Sequence, residues 1–139
     1  MEEHYQRILQ DTEKRVKKAL RVQELSESDK NYGGFYEPNG VVQAKFSIYR
    51  VVPMIAVFCN DESIYYMDDM LHDRILAGLD YIGRVQHENG LFDYVTCNFF
   101  SAPDTAFCVK KLLPAYSYLR YRKRREGLYD EEREIFEKL

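Results

Sequence analysis

Residues 86–107 read QHENGLFDYVTCNFFSAPDTAF, and the reading of this stretch decides the fold. An amphipathic helical pattern runs into it and an almost wholly apolar one leaves it, so it joins two helices. Asn89-Gly90 gives a sharp turn, because glycine adopts positive φ freely and asparagine tolerates it. Leu91, Phe92 and Tyr94 then add apolar bulk that a solvated loop would not need. Ser101-Ala102-Pro103-Asp104 reads as a helix start. Ser101 caps, Pro103 sits in the first turn where its missing N–H is harmless, and Asp104 faces the positive end of the helix dipole. The loop is expected to be ordered and packed.

Outward from it the helical pattern repeats. Before the loop, Leu71, Ile75, Leu79, Ile82 and Val85 form one stripe of a helix expected over Tyr66–His87. After it, Phe107, Val109, Leu112, Leu113, Ala115, Tyr116 and Leu119 make the first half of a helix over Pro103–Glu126 apolar, with Pro114 inside. Earlier in the chain, Glu2–Leu25 carries a stripe of Tyr5, Ile8, Leu9, Val16, Ala19 and Leu20. A loop over Ser26–Val42 follows, rich in glycine and asparagine around Phe35 and Tyr36. The segment Gln43–Phe58 is apolar nearly all round, which predicts a helix buried on most sides, with Pro53 as a kink or a freed carbonyl. Arg21 and Arg84 lie 63 residues apart, and Pro53 and Pro114 lie 61 apart. Such a period stacks one unit on itself. Here the unit is a helical hairpin, amphipathic outside and apolar inside. The expected fold is all-α: repeated helical hairpins forming a partial α/α toroid, a closed ring needing more hairpins than are present. The basic run Arg120–Arg125 before Gly127 reads as a solvated helix end. Tyr129-Asp130 opens a last short segment.

Composition bounds the function. At 139 residues the chain is one domain, residues 1–139, able to bury its own core. A net charge of −3 argues against nucleic acid as a partner. Twelve Tyr and eight Phe with no Trp suit either packing or a sugar-facing surface. The opening residues lack the apolar core of a signal peptide, and the apolar run at Ile48–Cys59 is too short to span a bilayer. The expected location is cytoplasmic, with no membrane partner. Cys59, Cys97 and Cys108 show neither disulfide nor metal spacing, and each is expected as a buried free thiol. No cofactor or metal motif is present.

Gln86-His87-Glu88-Asn89-Gly90-Leu91-Phe92-Asp93 together with Thr96-Cys97-Asn98-Phe99-Phe100-Ser101-Ala102-Pro103-Asp104-Thr105-Ala106-Phe107 resembles the N-terminal toroid region of bacterial heparinase II/III-like proteins. The pattern is Q-x-x-D-G-x-x-D followed by T-x-N-F-H-S-x-P-D-T-A-F. The resemblance is strong over about a third of the chain. Phe100 stands where the pattern has histidine, and the β-sandwich of those longer proteins has no counterpart here. The resemblance implies an N-terminal part of a larger toroid, or a reduced relative of one. It also implies glycan binding or eliminative cleavage of uronate-containing polysaccharides, with catalysis not expected from these residues alone.

Among individual residues, Tyr36 and Tyr94 occupy equivalent hairpin ends and are the best candidates to contact a sugar. Asn98 either orients backbone or binds a sugar hydroxyl. Asp104 is a cap first and a ligand candidate second. Catalytic residues stay unassigned, although Tyr36, Tyr94 and Asn98 are the types an eliminative base and carboxylate-neutralising group require. His87 and Glu88 read as solvated, and Gln86, like Gln23, as a tie across its loop. An acidic oligosaccharide is the expected partner. The alternative is a non-catalytic helical module that forms a homo-oligomer or packs on remaining toroid segments. A terpenoid-cyclase-like toroid ranks last, because Asp68-Asp69 alone is no diphosphate motif.

Overall fold

The computed structural model describes residues 2–139 and is mostly helical, with one small sheet. The helices are α1 (Glu2–Leu20), α2 (Ala44–Phe58), α3 (Asp69–Val85), α4 (Ala102–Arg125) and α5 (Asp130–Lys138). Strands β1 (Phe92–Tyr94) and β2 (Asn98–Ser101) pair antiparallel inside the central loop. No described helix is long and apolar enough to cross a membrane.

Helix α2 is the centre. Ile48, Val51, Met54, Ile55, Val57 and Phe58 are almost completely buried, and α1, α3 and α4 all pack against it. Its near-continuous apolar sequence allows this, since few of its faces have to meet water. The helix runs unbroken through Pro53. Leu9, Val16 and Ala19 of α1 and Leu71, Ile75, Leu79 and Ile82 of α3 turn their stripes onto the same core. Helices α2 and α4 run in the same direction. Near their starts Lys45 meets Asp104, and towards their ends Ala56 and Tyr118 border one cleft.

Three boundaries differ from the periodicity. Helix α1 stops at Leu20 rather than Leu25, because the next residues serve the loop. The Val22 carbonyl accepts the Tyr36 N–H at 2.9 Å, and Gln23 pairs with Phe35 as an isolated bridge. Helix α3 begins at Asp69 rather than Tyr66. Met67 adopts φ +50°, and the Asp68 carboxylate caps by accepting the Leu71 N–H at 2.7 Å. The central loop gains a two-stranded sheet, with Phe92 opposite Ser101 and Tyr94 opposite Asn98.

Helix α4 is the larger correction. Its apolar half is not buried on most sides: Phe107, Val109 and Leu113 are each more than half exposed, and only Cys108, Ala115 and Leu119 enter the core. The helix packs on α2, β1 and α5, which leaves Phe107, Val109 and Leu113 on its open side. Cys97 is also exposed, whereas Cys59 and Cys108 are buried.

The two loops are tied alike. Gln23 Nε2 donates to the Gly33 carbonyl at 3.0 Å, and Gln86 Nε2 donates to the Gly90 carbonyl at 3.0 Å. Gly33 takes φ +86° and presses so closely on Ala77 that a Cβ there would lie 2.0 Å from its carbonyl oxygen. This contact seats the first loop on α3.

Candidate functional site

The candidate site lies where β1 and β2 meet the first turns of α2 and α4. Lys45 stands in the first turn of α2, where a cation opposes the helix dipole and no acidic neighbour offsets it. Its compensation comes from 59 residues away, where the ammonium donates to Asp104 Oδ1 at 2.7 Å. The same ammonium lies 5.1 Å from the ring centres of both Tyr94 and Phe107. Lys45 is thus a charged group framed by two rings, with part of its side chain open to solvent.

Asp104 is held from both sides. Ser101 Oγ donates to Asp104 Oδ2 at 2.5 Å and accepts the Asp104 N–H at 3.2 Å, closing the cap expected from the sequence. The hydrogen bond from Lys45, then that from Ser101, lowers the Asp104 pKa below its ordinary value, and Asp104 in turn raises that of Lys45. With both oxygens engaged, Asp104 positions Lys45 and is not a free base. Asn98 Nδ2 donates to Ser101 Oγ at 3.1 Å, so Asn98 orients the cap. Thr105 Oγ1 donates to the Ser101 carbonyl at 2.6 Å and accepts the Phe92 N–H at 2.8 Å. The S-x-P-D-T run therefore fastens the hairpin to α4.

Three of the four sequence candidates come together here. Tyr94 and Asn98 are cross-strand partners, and Asp104 reaches both through Lys45 and Ser101. Tyr36 stays in the first loop, where its hydroxyl donates to Glu24 Oε2 at 2.7 Å; that bond raises its pKa. It shares no partner with Tyr94. Between the loops a cleft of about 350 Å³ is lined by Asn31, Gln43, Tyr81, Asp93 and Val95, among others. Gln43 spans the two loops, accepting the Val95 N–H at 3.1 Å while donating to Glu37.

His87 is not simply solvated. Its Nε2 lies 2.8 Å from Asp93 Oδ1, and its ring stacks on Phe100 with centres 4.1 Å apart. The Asp93 carboxylate also accepts the Phe100 N–H at 2.8 Å; this bond, followed by His87, lowers its pKa. Phe100 has φ +50°, a conformation that costs a side-chain-bearing residue about 1–2 kcal/mol. Sequence reasoning missed Lys45 and the His87–Asp93 pair. For Lys45 the available signal was a cation in the first turn of a largely apolar helix, with no acidic residue beside it.

No group of His, Cys, Asp or Glu among the described residues is arranged to hold a metal ion. No family model, curated protein or solved structure matches the chain.

Proposed function

We propose that the chain is a carbohydrate-active region of the heparinase II/III-like toroid kind, binding acidic, uronate-containing glycans without cleaving them by itself. The observation that carries this reading is Lys45. An ammonium set between Tyr94 and Phe107, with Asp104 taking one of its three N–H groups, offers a carboxylate the remaining donors in a partly dry frame, with aromatic faces for sugar C–H groups. The toroid part is supported by two parallel helices, the apolar α2 and α4 with its apolar first half, each preceded by an amphipathic helix and a glutamine-tied loop. Cleavage is left out because Asp104 is fully engaged and the His87 ring is already committed to Asp93 and Phe100.

Calorimetry with a digalacturonate tests the reading. Binding should weaken by about tenfold in Lys45→Ala and in Tyr94→Ala, the loss expected for one charge-assisted contact. It should survive Tyr36→Ala. Absence of binding in the wild-type chain, or binding indifferent to Lys45 and Tyr94, would overturn it.

A second reading, a helical interaction module, has one observation of its own. Helices α3 and α4 diverge around an open groove of about 330 Å³, lined by Leu79, Ile82, Val109, Leu112, Leu113 and Tyr116 among others. Exposed apolar surface of this kind commonly marks an interface with another copy or with further toroid segments. The solution mass decides it. A dimer that Leu113→Glu dissociates would support the module, and a monomer indifferent to that change would count against self-association.

A further inference from the structure

Beyond the Lys45 frame, the same seam between α2 and α4 carries a second cation-and-ring pair. Lys111 Nζ lies 5.3 Å from the ring centre of Tyr49. Tyr49 follows Lys45 by four residues on α2, and Lys111 follows Phe107 by four on α4. In both helices this is one turn, about 6 Å along the axis. The arrangement is crossed. In the first pair the cation is on α2 and the ring on α4; in the second the ring is on α2 and the cation on α4. Lys111 enters no ion pair among the described residues, so unlike Lys45 its charge is uncompensated. Tyr49 is 40% exposed. One further turn along, at Val52, Ala56, Pro114 and Tyr118, the seam opens into a cleft of about 400 Å³ that Tyr5 and Asp61 also line.

We infer that the α2–α4 seam is a track for an extended acidic glycan, with Tyr49–Lys111 as a second subsite beside the Lys45 frame. Two ammonium groups offset by a helical turn, each against an aromatic ring, fit a chain bearing one carboxylate on each sugar ring. A single monosaccharide would engage only one of them. The apolar cleft beyond takes the less polar faces of the rings that follow. A single-stranded nucleic acid also combines charge with flat rings. The glycan is favoured because the chain carries a net charge of −3, without the strongly basic balance of nucleic-acid-binding domains.

The inference rests on the glycan reading above, and the test separates the two. Galacturonate, octagalacturonate and oligothymidylate are titrated by calorimetry into the wild-type chain and into Lys111→Ala, with far-UV circular dichroism confirming the variant's fold. The track predicts that octagalacturonate binds at least about tenfold more tightly than the galacturonate monosaccharide, as linked subsites do. Lys111→Ala should remove that advantage and leave monosaccharide binding at the Lys45 frame unchanged. Equal binding of short and long chains, or an advantage that persists in Lys111→Ala, would overturn the track while leaving the Lys45 site standing. Binding of neither uronate would overturn both. Oligothymidylate binding as tightly as octagalacturonate would overturn the choice of a glycan.

Discussion

At the scale of single residues, charge compensation explains most of the site. Asp104 and Asp93 both accept hydrogen bonds that favour their charged forms, so folding lowers their pKa values below the ordinary 3.8. Each therefore adds stability that is fully present above 3.8 and is lost as the pH falls through the lowered folded value. Denaturant melts taken across this acid range should show stability falling with pH, and the slope should be shallower in Asp104→Asn. An unchanged slope would remove Asp104 from the account. The thiols give a second residue-level prediction. Burial pushes Cys59 up to about 12 and Cys108 up to about 11, while Cys97 is exposed. Because the thiolate is the reacting species, a disulfide reagent at pH 8 should label Cys97 promptly in the native protein. Cys59 and Cys108 should react only in denaturant. Rapid native labelling of either would contradict the packing around α2 and α4.

At the scale of elements, the helices that bury one stripe were legible in the sequence and their ends were not. The α3 stripe at Leu71, Ile75, Leu79 and Ile82 lies in the core as the periodicity implies. The end of α1 was hidden, because nothing local says that the Val22 carbonyl will be claimed by Tyr36, fourteen residues on. The hairpin of β1 and β2 was hidden too, since strands of three and four residues are too short to show an alternation. The cap at Ser101 and the Gln86 tie were legible because each uses a partner three or four residues on, whereas Gln23 reaches ten residues on to Gly33 and 51 on to Arg74. Lys45 was not legible, because its partner Asp104 comes from another element. The first loop supplies the element-scale prediction through two glycines of similar φ. Gly33→Ala and Gly40→Ala both place a side chain at positive φ, +86° and +80°, at about 1–2 kcal/mol each. Only Gly33 also drives its Cβ into the Ala77 carbonyl, whereas Gly40 meets nothing within 4 Å. Urea denaturation should show Gly33→Ala losing clearly more stability than Gly40→Ala. Equal losses would mean that the first loop is not seated on α3.

At the scale of the whole molecule, α4 could not be judged from its own sequence. Its apolar first half resembles that of α2, yet α2 has neighbours on three sides while α4 leaves Val109 and Leu113 in the open. How many helices surround a given helix is a property of the assembly, and hydrophobic pattern reports only what a residue prefers. Helix α5 completes the molecule by packing on α3 and α4. The fully buried Glu132 pairs with Arg122 of α4 and accepts the Tyr129 N–H at 3.1 Å, while Ile135 fills the core beside it. Without Glu132, Arg122 keeps as its acidic partner the exposed Glu126, 3.6 Å away. Glu132→Ala should cost about 3–5 kcal/mol, the loss expected when one partner of a buried ion pair is removed. Thermal melts would show it as a large fall in midpoint, and a change within error would mean that Arg122 finds other partners.

The nine residues of α5 have a consequence in time as well as in energy. A helix that short does not persist alone in water, so its amides are protected only while it stays seated. Docking and coiling are then one event. In hydrogen exchange, the α5 amides should open together, as one unit, whenever the helix leaves its seat. Exchange at α5 becomes a clock for its undocking from α3 and α4, read without perturbing it.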